Sequence, residues 1–265
     1  MKKVFLGLTT LMLLVMISTS CNNGDGEKKD AENKEATAPE ATTNASAEDT
    51  TGWITLFDGK DFTGWRGYDR TDVPKAWVIE DGAIKIQGSG EGEAGAKDGG
   101  DIIYDKKFKN FELSFEWKVS PGGNSGVFYL AQEVKGDPIW KSSPEYQILD
   151  NAKHPDAKLG KDGNRQSASL YDLIPAKPQN SKPAGEWNTG GIMVYKGTVV
   201  HKQNGENVLE YHLWTDDWKK MIENSKFKGW ENFINAGGPE HEGYIGLQDH
   251  GDDVWYRNIK IKILD

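Results

Sequence analysis

Between Phe111 and Val119 apolar and polar residues alternate without a break: Phe111, Leu113, Phe115, Trp117 and Val119 against Glu112, Ser114, Glu116 and Lys118. Period-two alternation of this length predicts a half-buried antiparallel strand. "WVIEDGAIKI" (77–86) predicts two short strands around the turn signal Asp81-Gly82. Strands continue through 125–131, 145–150 and 190–214, the last broken by turns at Lys196-Gly197 and Asn204-Gly205 and so a meander. The chain ends in "YIGLQDHGDDVWYRNIKIKIL" (244–264), which predicts a final hairpin of 244–248 with 254–263. Only 216–227 has helical spacing, through Trp218, Met221, Ile222 and Phe227. Many short strands, glycine-rich turns and one short helix make an all-β fold, an antiparallel β-sandwich or jelly roll. No repeat or internal linker divides residues 52–265, which predicts one domain.

Composition refines this picture. Ten Trp, nine Tyr and nine Phe supply the apolar area for a sizeable core in a chain whose hydrophobic fraction is only 36%. The net charge of −9 argues against nucleic acid, because phosphate binding needs a basic face. The N-terminus has its own texture. Lys2 and Lys3 precede an apolar run from Val4 to Ile17, small residues 18–20, and Cys21, the one cysteine of the chain. A basic start, an apolar stretch and a small-residue site predict a secretory signal over 1–21. Cys21 stands where a lipobox cysteine stands, and a lone thiol has no disulfide partner in an oxidising compartment. The bland alternative is a chance cysteine beside an ordinary cleavage site. Residues 22–51 hold no aromatic and read as a disordered tether. The expectation is a cell-envelope lipoprotein, held at the membrane through an N-terminal lipid.

Strand parity sorts the candidate chemistry, since side chains alternate between faces. Glu145, Gln147 and Leu149 share one face, with Tyr146, Ile148 and Asp150 on the other. Gln248 goes with Tyr244 and Gly246, leaving Ile245 and Leu247 for the core. Arg257 shares parity with Trp255, Ile259, Ile261 and Ile263, which points it toward the core. A buried Arg needs a carboxylate, carbonyls or an anionic ligand, and Asp249 or Asp252 is the structural partner expected. His250 and His154 each lie just beyond a strand, where an imidazole can serve as a general base or simply sit in solvent. Asn124 is either a turn residue or an amide suited to sugar hydroxyls. The glycine-rich stretch 88–100 lacks a Gly-Lys-Ser/Thr ending and is no phosphate loop. No His-x-His or His-Glu-x-x-His spacing predicts zinc, although scattered Asp, Glu and His leave a divalent cation open. Without a second cysteine or a Gly-x-Ser-x-Gly motif, thiol and serine-elbow catalysis are not indicated.

The order of several pieces resembles the 3-keto-disaccharide hydrolase domains. These pieces are "WITLFDGKDFTGW", "WVIEDGAI", "FKNFELSFEWKVSPGGNSGVFYL", "PEYQILDN" with His154, "ASLYDLIPA", "PAGEWN", "HKQNGENVLEY" and the C-terminal stretch. The resemblance spans nearly all of 53–264. It implies a concanavalin A-like sandwich with a concave face toward carbohydrate, and cleavage of glycosides already oxidised at sugar C3. Matching positions are Asn124, Glu145, Gln147, Asp150, His154, Tyr171, His201, Asn204, Gln248, His250 and Arg257. On this reading His250 or His154 is the base and Glu145 the acid or a cation ligand. Asn124, Gln147, Asp150, Tyr171, His201, Gln248 and Arg257 then hold the oxidised glycoside. One departure is Lys202-Gln203 after His201, where Trp-Leu is common, which suggests an altered leaving-group preference. Two rivals stand beside the enzyme: a non-catalytic carbohydrate-binding lipoprotein, and an ordinary glycosidase using Glu145 with Asp150.

Overall fold

The computed structural model describes residues 49–90 and 95–265. The predicted signal segment, Cys21 and nearly all of the predicted tether lie outside the described residues. Two antiparallel sheets face one another across a single core. The larger is eight-stranded, in the order β11 (Glu206–His212), β10 (Thr198–Gln203), β9 (Asn188–Tyr195), β6 (Phe111–Val119), β13 (Val254–Ile263), β4 (Ala83–Ile86) and β3 (Trp77–Glu80). Its eighth strand, β1 (Trp53–Thr55), pairs with the far end of β13. The smaller sheet runs β2 (Trp65–Gly67), β5 (Ile102–Tyr104), β12 (Tyr244–Leu247), β7 (Asn124–Ala131) and β8 (Glu145–Leu149).

Alternation explains the larger sheet. Every apolar member of β6 is buried and every polar neighbour is half-exposed. Trp117 and Tyr256 meet Tyr129, Tyr146 and Ile245 from the opposite sheet in the core, each wholly buried. Removing a large side chain of this kind from water contributes about 1.5–3 kcal/mol. The predicted turns form as expected: Asp81-Gly82, Lys196-Gly197 and Asn204-Gly205 all adopt positive φ, which Gly tolerates and Asp and Asn accept. The predicted helix is α1 (Asp216–Glu223), capped by the Thr215 side chain accepting from the Trp218 amide, and a further single turn, α2 (Glu231–Ile234), follows it.

The C-terminal hairpin does not form. β12 pairs with β5 and β7 in the smaller sheet, while β13 pairs with β6, β4 and β1 in the larger. Residues 248–253 therefore cross from one sheet to the other. Both strands bury their apolar residues in the same core, but from opposite sides, which is why their pattern mimics a hairpin. A second correction concerns parity within β13. Its register shifts between Arg257 and Lys260, and Asn258 takes φ 52°. Beyond this bulge Ile259 and Ile261 are buried, whereas Trp255 and Arg257 lie with the solvent-facing set and Ile263 is exposed.

Strands β7 and β8 are buried on both faces, unlike β6. Their inner residues enter the main core. Their outer face is covered by the 3-10 turn Ile139–Lys141, by Tyr171 and by the segment 226–233. The covering is incomplete, and the gap is a cavity.

Candidate active site

The cavity has a volume of about 470 Å³, within the usual range for small-molecule sites. Its floor is the outer face of the smaller sheet. Asp101, beside β5, Asn124 on β7, Glu145 and Gln147 on β8, and Gln248 after β12 all line it, with His250 at one side. These strands are neighbours in the sheet, so sequence-distant side chains of like parity land together. Gly126 lies opposite Gln147 in the middle of this floor, where a Cβ would collide with Glu145. The absence of a side chain there makes room for the carboxyl.

Backbone contacts fix the floor. Gln248 donates its amide to Gly126, and its carbonyl accepts from Ser125 Oγ at 2.6 Å. Ser125 in turn accepts from Tyr256 Oη at 2.7 Å, tying the rim to the core. Asp249 gathers the amides of Ala96, Gly100 and Gly251, and its own amide donates to Asp101 Oδ1 at 2.9 Å. The glycine-rich stretch is thus anchored on Asp249, which has a structural use. Asp252 accepts from the Asn124 amide at 3.0 Å.

Four buried polar atoms of the floor have no partner among the described residues: Asn124 Oδ1, Gln147 Oε1, Gln248 Oε1 and His250 Nδ1. Such atoms are costly to leave unpaired, and their convergence on one cavity marks it as built for a polar ligand. Glu145 is buried beneath them. Loss of hydration pushes its carboxyl up to about 8, partly opposed by the nearby Lys226 charge. Asp101 touches the cavity and is otherwise enclosed, and burial raises it to about 7 against the pull of the Asp249 amide. At neutral pH Glu145 therefore holds a proton in a site rich in acceptors.

The two candidate histidines lie together, with ring centres 6.3 Å apart and nearly perpendicular, but they differ in what they offer. His154 Nδ1 accepts from the Asp156 amide at 3.2 Å, as the cap of a 3-10 turn. That bond commits the Nδ1 lone pair. His250 faces the cavity and keeps Nδ1 unpaired. Both imidazoles stand near Asp252, whose carboxyl is raised by burial and drawn back down by them. Tyr171 also lines the cavity, its hydroxyl donating to Asp156 at 3.0 Å while Arg165 bridges Asp156 and Asp172.

Five predicted residues do not line the cavity: His154, beside His250, and His201, Arg257, Asp150 and Asn204. His201 points from β10 into the core, wholly buried, between Tyr129 Oη and the Ala168 carbonyl at 2.8 Å each. Burial lowers it to about 4, so it is a neutral core histidine. Lys202 instead pairs with Glu112 on the outside of the larger sheet, and Gln203 is buried beside Gln179 and Asn180. Neither reaches the cavity, which removes the basis for reading leaving-group preference from them. Arg257 lies on the outside of the larger sheet, 2.7 Å from Glu116 and stacked on Trp187, not on Asp249 or Asp252. Asp150 accepts the Gly122 and Ala152 amides in a turn outside the cavity. Asn204 is likewise a turn residue, bonded to Asn180 and Asn188. Among the described residues no group of three or more His, Cys, Asp or Glu is disposed to hold a metal ion.

Sequence reasoning missed Asp101, Lys226 and the aromatic side of the cavity, formed by Trp140, Phe227, Trp230 and Phe233. Parity with Ile103 was the available signal for Asp101. The aromatics gave none, because a cavity wall and a core have the same composition.

Known proteins share this fold and much of this sequence. A 3-keto-disaccharide hydrolase from Bacteroides thetaiotaomicron is 55% identical over 290 aligned positions, covering 100% of both chains. A crystal structure of a candidate glycosyl hydrolase from Parabacteroides distasonis superposes with a TM-score of 0.70 at 32% identity, over 82% of this chain and 96% of that one. A second structure from the same organism gives 0.60 at 28% identity, over 80% and 99%. The model of the 3-keto-alpha-glucoside-1,2-lyase-like domain matches residues 52–262, and the chain belongs to that family.

Proposed function

We propose that the protein cleaves 3-keto-glycosides, 3-keto-disaccharides among them, by removing the C2 proton and expelling the C1 substituent. The observation that carries this reading is the joint presence of a protonated buried Glu145 and an unpaired His250 Nδ1 in one cavity. A ketone at C3 acidifies the C2 hydrogen. His250 takes that proton, and the electron pair is held as an enolate on O3. Collapse of the enolate forms the C1–C2 double bond and breaks the bond from C1 to the leaving oxygen. Glu145 gives its proton to that oxygen as it departs. Addition of water across the double bond then completes a net hydrolysis.

The remaining groups fit these demands. Gln147 Nε2 is already used on the Arg165 carbonyl, which leaves Oε1 to accept a sugar hydroxyl. Asn124 and Gln248 present oxygens in the same way. Lys226 lines the cavity, where its charge can balance that of the enolate. A carboxyl kept neutral by burial is expensive to maintain, and proton donation supplies a reason for it. The basic start and Cys21 support a second proposal, that the domain is lipid-anchored at the envelope. Cys21→Ser should then move the protein from the membrane to the soluble fraction.

The test incubates purified protein with a 3-keto-glucoside and with its unoxidised parent, with and without chelator. Release from the keto substrate alone is expected. Release from neither would remove the enzyme reading, and equal release from both would favour an ordinary glycosidase. His250→Ala should stop turnover without unfolding the chain, and a near-normal rate in that variant would take His250 out of the mechanism.

A further inference from the structure

The polar floor accounts for half of the cavity. Across from it stands an aromatic wall for which the chemistry above has no use. Trp140 projects from the 3-10 turn Ile139–Lys141, whose Ile139 is buried against Ile103 and Phe128. The Trp140 indole itself stays 40% exposed, one of few large apolar side chains left so open. Trp230 lies 5.1 Å from it, tilted by 43°, and is braced from behind by Phe227 at 5.2 Å, centre to centre. Phe227 stacks on Phe233 at 4.5 Å, and Phe233 on Trp218 of α1 at 5.8 Å. Trp218 is fixed by donating its indole N–H to Ile234 at 2.9 Å. A graded stack thus runs from the core to the cavity and ends in two indoles facing open space.

We propose that Trp140 and Trp230 form the subsite for the departing sugar of a 3-keto-disaccharide, resting on the reaction proposed above. The reacting ring must sit on the floor, where the acid, the base and the unpaired amides are. Its C1 substituent then extends toward the open side of the cavity, where the two indoles stand. A pyranose chair presents a face of C–H bonds, and an indole presents an electron-rich face that attracts them. Lys226 stands at the junction, 4.1 Å over the Tyr171 ring and 3.3 Å from Asp172, where it can meet hydroxyls on either ring. The four rings of the wall are uncharged, and Lys141, 5.9 Å over the Trp140 ring, is already paired with Asp137 at 2.9 Å, which suits a neutral sugar rather than a charged group. Its two planes are inclined rather than parallel, so they cradle a puckered ring and make no slot for a flat one.

Calorimetric titration of full-length Glu145→Gln protein, in which turnover should be slowed about 100-fold or more, reads the subsite directly. The ligands are a 3-keto-disaccharide, methyl 3-keto-glucoside and an aryl 3-keto-glucoside. Adding Trp140→Ala should weaken the disaccharide at least tenfold and the methyl glycoside less than twofold, while Trp140→Tyr restores most of the loss. Trp140 is exposed, so this variant is not expected to disturb folding, which circular dichroism checks. In the otherwise wild-type enzyme, Trp140→Ala should raise KM for the disaccharide and leave kcat little changed. An equal effect on disaccharide and methyl glycoside, or no effect on either, overturns the subsite. So does a loss confined to the aryl ligand, which would make the wall a site for flat aglycones. Absence of turnover by the wild-type enzyme would count against the reaction alone, because the titration still decides the subsite.

Discussion

The two sheets turn opposite uses of the same alternation to the outside. On the larger sheet, outward polar groups are matched to one another: Arg257 with Glu116, Lys202 with Glu112, and Lys85 with Glu80 and Asp253. Its outward tryptophans carry cations, Arg257 over Trp187 at 3.9 Å and Lys118 over Trp255 at 4.4 Å. On the smaller sheet the polar groups at the cavity, Asn124, Gln147 and Gln248, are roofed over and each keeps an unmatched oxygen. The first face is closed chemistry, complete without a ligand. The second is unfinished until something binds. Unmet hydrogen-bonding capacity, rather than polarity, distinguishes the active face.

The largest expected effect comes from Glu145. Glu145→Gln should lower kcat/KM by about 10²–10⁴-fold, the usual worth of a general acid. Stability should move the other way. In the unfolded chain this group ionises near 4.5, but the folded protein holds its proton until about 8. The folded state therefore binds more protons across that interval, and its stability falls as pH rises from about 4.5 to about 8. Glu145→Gln removes that loss, so chemical denaturation at pH 8 should show the variant to be the more stable, with its advantage shrinking toward pH ~5. In the wild type, kcat/KM should decline as pH rises through about 8. A variant that is inactive but no more stable at pH 8 would mean that the active face is not strained as described.

Gly126→Ala probes the same face from below. The added methyl meets the Glu145 side chain from Cγ to the carboxyl, which must rotate into the open cavity, so the fold should survive. Displacing the acid by about 1 Å can cost about 100-fold in rate, and steady-state kinetics beside a thermal melt would show activity lost with little change in Tm.

Much of this division was legible beforehand. Most of the strands, the turns, the shared face of Glu145 and Gln147, and the separation of Gln248 from the core-facing Ile245 and Leu247 followed from period-two patterning alone. Sheet membership did not, because parity tells which side a residue faces and not which neighbour it has. Residues 244–263 look like a hairpin for that reason. A single bulge at Asn258 was enough to invert the face of Arg257, and no local pattern announces it. The resemblance brought Asp150, His201 and Arg257 into the expected site, yet their places in the fold give each a complete set of structural partners. The aromatic wall stayed hidden because Phe227 and Trp230 fit the spacing of a buried helix equally well.

His201 tests whether a histidine inside the sandwich behaves as structure. His201→Phe leaves the Ala168 carbonyl without its buried donor, which costs about 1–3 kcal/mol. Urea denaturation should detect this, while kcat per folded molecule stays unchanged. A specific loss of kcat would return His201 to the site.

The smallest effect is expected at Arg257, and it is the sharpest control for the contrast between faces. Arg257→Ala removes a half-exposed ion pair and a stacking contact on the far side of the sandwich from Glu145. Exposed pairs of this kind contribute about 0–1 kcal/mol. Glu116 keeps its bond from Asn258 Nδ2 at 2.7 Å, so no buried charge is stranded. The variant should melt within a few degrees of the wild type and show the same kcat and KM on a 3-keto-disaccharide. Should KM rise instead, the outward face of the larger sheet would have to be in contact with substrate. The separation of a closed face from an open one would then fail at the residue whose sequence pattern was most misleading.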